Sequence, residues 1–136
     1  MHKKIAFVIK SLPYNRETSR LGLTHAIASQ SVDVYLDDGD MIEPVVCFIG
    51  DGVLNCLKEQ QCMKHYNNTS METHIKNALL VDLQVYICKE DLERFGLSSS
   101  DVVTDAEEIG ADKKAEIVPF DHIQKIMDDV DHLQFF

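Results

Sequence analysis

The sequence predicts an α/β domain of the flavodoxin-like class: three layers, with a mainly parallel sheet of about five strands covered by helices on both faces. Three observations predict it. Continuous apolar runs recur at residues 5–9, 45–49 and 85–87, the composition of strands buried on both faces. Helix-forming stretches separate these runs, so strand and helix alternate and no long series of hairpins intervenes. A chain of 136 residues suits one domain, 1–136, that buries about two thirds of its unfolded surface without covalent staples.

In order, residues 4–10 read as the first strand, ended by a loop at Pro13 and Asn15. Thr18 or Ser19 starts a helix running to about Ser29, with Leu21, Leu23, Ala26 and Ile27 as its apolar side. His25 lies on this helix with no acidic partner in sight and reads as a spectator. Residues 31–44 are the least regular part. Val32, Val34 and Leu36 alternate as in a short strand, and the acidic stretch 37–40 reads as a turn that lacks the ligand spacing of a calcium loop.

Residues 45–49 form the second strong strand, with Cys47 in its core. Gly50-Asp51-Gly52 turns it into a helix beginning near Val53; neither a dinucleotide fingerprint nor a P-loop is complete there. Cys56, Cys62, His65 and His74, with Met63 and Met71 nearby, match no zinc spacing. Leu54, Leu57 and Met63 instead suggest a helix packing down and passing into a polar loop at 66–70. Residues 71–80 read as a helix with Ile75, Ala78 and Leu79 inward.

The chain is organised around residues 83–97. Val85, Tyr86 and Ile87 have strand composition, and the residues after Cys88 switch at once to helix formers, with Leu92 and Phe95 at helical spacing and Gly96 as the stop. Cys88 therefore sits at the carboxyl end of a strand against the start of a helix, where the ligand crevice of an open α/β sheet lies and where a thiol can ionise. Glu90 and Asp91 oppose that ionisation, and Lys89 offsets them locally. Residues 98–114 are polar and acidic and read as a linker or mobile loop. Residues 116–118 form a fourth strand. Pro119 and Asp121 open a helix with Ile123, Ile126 and Met127 inward and Val130 closing it, and residues 132–136 are a last strand. Leu133, Phe135 and Phe136 are either tucked into the sheet or part of an interface.

A net charge of −10 disfavours docking on a phosphate backbone or an anionic membrane, so no direct nucleic-acid contact is expected. The apolar run behind Lys3 and Lys4 is too short for an export core, and no apolar run approaches the roughly 18 residues of a membrane span. A cytoplasmic protein is expected, with Cys47, Cys56, Cys62 and Cys88 unpaired, no metal and no cofactor.

These residues together resemble the DsrE/DsrF-like superfamily, most closely its DsrF/TusC branch. The likeness is carried by residues 4–8, the Arg20-Leu21-Gly22-Leu23 helix opening, the stretch Phe48-Ile49-Gly50-Asp51-Gly52-Val53, residues 85–88 running into 92–97, and the closing residues 131–136. Residues 33–44 look like an insertion relative to the TusC type. The resemblance implies a cytoplasmic subunit that joins two paralogues, DsrE-like and DsrH-like, in a heterohexamer passing sulfur between cysteine persulfides, with a small sulfur-acceptor protein as a further partner. In the DsrF-type setting this serves intracellular sulfur oxidation, and in the TusC-type setting 2-thiouridine formation in tRNA. The persulfide cysteine of the DsrE/TusD-type paralogue follows the same strand, so the likeness falls on Cys88 as the persulfide candidate. In the DsrF/TusC branch, however, the chain is regarded as the partner of the active subunit. Two readings follow: a sulfur carrier through Cys88, or a structural subunit of the sulfurtransferase complex without independent activity, which is favoured. A flavin or nucleotide binder would rest on fold class alone.

Overall fold

The three apolar runs form the centre of one sheet. In the computed structural model the structure describes residues 2–13, 17–32, 39 and 41–136. There β1 (His2–Ile9), β2 (Met41–Phe48) and β3 (Gln84–Cys88) lie side by side, with β4 (Glu116–Val118) beyond β3 and β5 (His132–Phe135) beyond β1. All pairings are parallel and the order is β4-β3-β2-β1-β5, which departs from the flavodoxin order 2-1-3-4-5 expected first within this class: the direction reverses between β1 and β5, not between β1 and β3. The chain thus steps outward from β1 to β4, then crosses the whole sheet to set its last strand beside its first. Right-handed crossovers put the helices of the forward steps on one face and the helix of the return step on the other. In chain order the helices are α1 (Thr18–Ser31), α2 (Cys62–Tyr66), α3 (Met71–Leu80), α4 (Lys89–Arg94) and α5 (Phe120–Asp129).

Side-chain alternation assigns the faces. Phe7 points to the α1 side, where the Phe136 ring stacks on it at 6.1 Å and 20°. Register aligns Phe7 with Val46 and Val46 with Val85 on that face. Tyr86 points to α5, its ring 5.3 Å from that of His122, and register aligns it with Cys47 and Cys47 with Val8. Residues of both alternations are buried in β1 and β2, which is why those runs are apolar without a period of two.

Four local outcomes differ from the expectations. First, β2 starts at Met41, inside the stretch read as irregular, and carries Pro44. Ile49 N–H donates to Ile9 at 3.0 Å, so odd residues of β2 face β1 and Pro44 faces the β3 side. There β3 begins only at Gln84, opposite Val45, so the missing N–H of Pro44 breaks no rung. The alternating Val34 and Leu36 and, apart from Gly39, the acidic turn lie outside the described residues.

Second, the turn after β2 enters a 3₁₀ helix, Gly50–Cys56, and not an α-helix. Val53 and Cys56 are both fully buried, and a repeat of about three residues sets such an i, i+3 pair on one stripe. Third, Met63 is exposed, because α2 is a short segment ended by Asn67 at φ 52°. Fourth, residues 98–114 are pinned. Val102, Val103, Ala106 and Ala111 are buried, Val103 N–H donates to Cys56 at 2.8 Å, and Val102 bridges Leu57. Small apolar side chains turn inward while the acids between them face water.

α1 and α3 pack together, and His74 sits at their junction with Nε2 3.3 Å from Thr24 Oγ1 and its Nδ1 buried without a partner. Burial, with the Arg20 guanidinium, holds this imidazole below its ordinary value of 6.5. A base neutral in the fold and more basic when unfolded weakens the fold as pH falls, since the unfolded chain takes the proton first. Thermal stability is therefore expected to drop between about pH 7.5 and 5.5, and less steeply in His74→Gln than in the parent. Parallel melting curves across that range check this.

Candidate site at the carboxyl edge of the sheet

β3 ends where its composition changes. Cys88, at φ −70° and ψ 119°, is both its last residue and the N-cap of α4, and it lies opposite Val118 of β4. Three neighbouring strands end together here, leading into Gly50, α4 and Pro119. The first turn of α4 ties these ends to one another. Asp91 Oδ2 accepts from Gly50 N–H at 2.7 Å, and both carboxylate oxygens of Glu90 accept from Phe120 N–H at 3.1 Å. Arg94 lies 3.5 Å from Asp91 and 3.6 Å from Asp51, and its guanidinium stacks over Phe95 at 4.4 Å.

Cys88 is 1% exposed. Burial is the main cause that pushes its pKa up to about 11; the Asp91 N–H favours the thiolate, while the Asp91 side chain and the Glu90 charge oppose it. At neutral pH the sulfur is therefore a protonated thiol, with far less thiolate than the few per cent of a free cysteine. The place of Cys88 at this junction and the acids that oppose its ionisation are legible in the sequence; the anchoring of those acids on the two neighbouring strand ends is not.

The other cysteines are also free. Cys47 and Cys56 are fully buried, and burial pushes the Cys47 thiol to about 12 and raises Cys56 as well. Cys62, the first residue of α2, is the least buried of the four. Cys56, Cys62, His65 and His74 are not gathered into a ligand set: among the described residues no three His, Cys, Asp or Glu side chains could share a metal ion. His25 is exposed on α1. The glycine turn holds no phosphate cradle, because the Gly50 N–H is already taken by Asp91 and Gly52 lies hard against the end of β1. Among the described residues no helix is long and apolar enough to cross a membrane.

A parallel five-stranded sheet with helices on both faces, Cys88 closing β3, defines a small flavodoxin-like α/β protein. Family comparison sharpens this: the model of the DsrE/DsrF-like family matches residues 3–135, and the chain belongs to that family. It is 30% identical over 110 residues to a protein TusC homolog of Haemophilus influenzae, covering 78% of this chain and 84% of that protein. It is also 30% identical over 111 residues to a protein TusC homolog of Pasteurella multocida, with the same shares covered. Among solved structures, the YchN protein of E. coli superposes with a TM-score of 0.72 over 100% of both chains at 18% identity. A conserved protein of unknown function from Bacteroides thetaiotaomicron gives 0.57 over 98% of this chain and 95% of that one at 11% identity. At such identities these two speak to the fold alone.

Proposed function

We propose that this chain is the DsrF/TusC-type subunit of a cytoplasmic sulfur-relay heterohexamer, holding a persulfide-carrying paralogue in place and carrying no sulfur itself. The observation that supports this reading is the state of Cys88. A relay thiol attacks a sulfane sulfur as the thiolate and must be reached by its donor, whereas Cys88 is 1% exposed and sits against the Asp91 carboxylate. Kinship with the TusC homologs and the whole-chain family match support the assembly part of the reading. The chain offers its paralogues an apolar carboxyl end in which Phe135 is 53% exposed. Its acidic character suits a subunit that passes sulfur through proteins, with a small acceptor protein downstream, and does not itself touch RNA. Whether the sink is sulfur oxidation, the DsrEFH-like case, or tRNA thiolation is named by the partners it retains.

The test is to purify the chain with its natural partners, incubate the complex with a small-molecule persulfide, and measure the intact mass of every subunit. The expected result is one added sulfur on a paralogue and none on this chain, unchanged by Cys88→Ser. Added sulfur on this chain that vanishes in Cys88→Ser would make Cys88 the carrier, and isolation as a lone monomer would end the assembly reading.

A further inference from the structure

The two carboxylates above Cys88 do more than oppose its charge. Glu90 and Asp91 are adjacent, yet they reach in different directions, one to the Phe120 N–H after β4 and the other to the Gly50 N–H after β2. Each takes a main-chain donor at the rim of the sheet, so these two amides are satisfied from within the chain. Asp91 also contacts the Cys88 thiol and is braced from outside by Arg94, which reaches Asp51 within the glycine turn. Cys88, 1% exposed, thus lies at a rim whose three strand ends are tied together by these side chains.

We propose that Glu90 and Asp91 form a built-in stopper: by bridging to Phe120 and Gly50 they cover Cys88 and occupy the main-chain donors on either side of it. This deepens the reading of the chain as a non-carrying subunit, since it names what silences the thiol. The stopper is local, because both bridges end on α4, whereas Cys47 and Cys56 are buried by the core and gain nothing from its removal.

The test is the alkylation rate of each cysteine in the full chain by N-ethylmaleimide, followed by peptide mass mapping. In the parent, Cys88 is expected to react no faster than Cys47 and Cys56, with Cys62 as the accessible reference. In the Glu90→Ala/Asp91→Ala variant, Cys88 is expected to react about ten-fold faster or more while Cys47 and Cys56 keep their parent rates. Asp91→Ala alone, which keeps the Glu90 bridge, covers the case in which the double variant fails to fold; there Cys88 is expected to quicken about three-fold. An unchanged Cys88 rate overturns the proposal. So does a rise shared equally by Cys47 and Cys56, because that reports general loosening. Either failure leaves the partner and mass measurements on the parent complex untouched, so the two readings fail separately.

Discussion

Gly52→Ala is expected to lower the stability of the isolated chain by about 3 kcal/mol, among the largest losses from adding a single methyl group. A Cβ at this position would lie 2.0 Å from the Ile9 carbonyl oxygen, 2.7 Å from its carbon and 3.0 Å from Lys10 Cα. All three are main-chain atoms, so no side chain can swing aside. The Ile9 carbonyl also accepts from Ile49 N–H at 3.0 Å, and moving it breaks the rung that holds the ends of β1 and β2 together. Gly110→Ala is the control: its φ of 88° disfavours a side chain, but nothing lies within 4 Å. Its cost is expected to be confined to backbone strain, about 1 kcal/mol. Urea unfolding of both variants checks the contrast, and a Gly52→Ala loss no larger than that of Gly110→Ala would refute the close-approach argument. The tight 3₁₀ turn beside the candidate site therefore depends on packing.

The architecture was legible where burial on both faces forces a continuous apolar run, as at residues 5–9 and 45–49, since short runs rich in β-branched and aromatic residues and bounded by turn residues favour strands over buried helix. The start of β2 was not, because Pro44 and Glu43 look like strand breakers. Their tolerance depends on where β3 begins, which is a tertiary fact. The inward packing of segment 98–114 is hidden in the sequence for a related reason. Its buried residues are mostly alanines and valines scattered among acids, and small side chains weigh little in a local average. At the site, Cys88 was legible from the abrupt change of composition after Ile87. The anchoring of Glu90 and Asp91 was not, because their partners lie 30 and 41 residues away in sequence and are main-chain amides of unremarkable residues. The distinction is general: composition reports what a residue is buried in, while a side-chain-to-backbone bond depends on which strand ends the topology brings together.

The end of the chain carries the second large effect, and the pleat divides it. Phe136 N–H donates to Val8 at 2.8 Å and Phe136 accepts from Lys10 N–H at 2.9 Å, which extends the β1–β5 pairing by one residue. Its ring stacks on Phe7 and fills the space that Gly22 leaves in α1, where a Cβ would stand 2.6 Å from the ring. Phe135, one residue earlier, points to the opposite face beside Val8 and is half exposed, with Lys10 Nζ 5.8 Å from its ring centroid. The expectation that these aromatics are either tucked in or offered to a partner thus resolves residue by residue: Phe136 is tucked in, and Phe135 is left on the surface. Phe136→Ala is expected to cost about 2 kcal/mol, less than a full core truncation because the ring is only partly buried. Phe135→Ala is expected to change the stability of the isolated chain by no more than about 0.5 kcal/mol. If this surface holds a paralogue, Phe135→Ala is expected to weaken that association about ten-fold, the scale of a buried aromatic at an interface. Denaturation of the isolated variants and titration of each against the co-purified partner separate the two roles. Equal loss of stability in both variants would mean that the last strand is one structural unit with no face reserved for a partner.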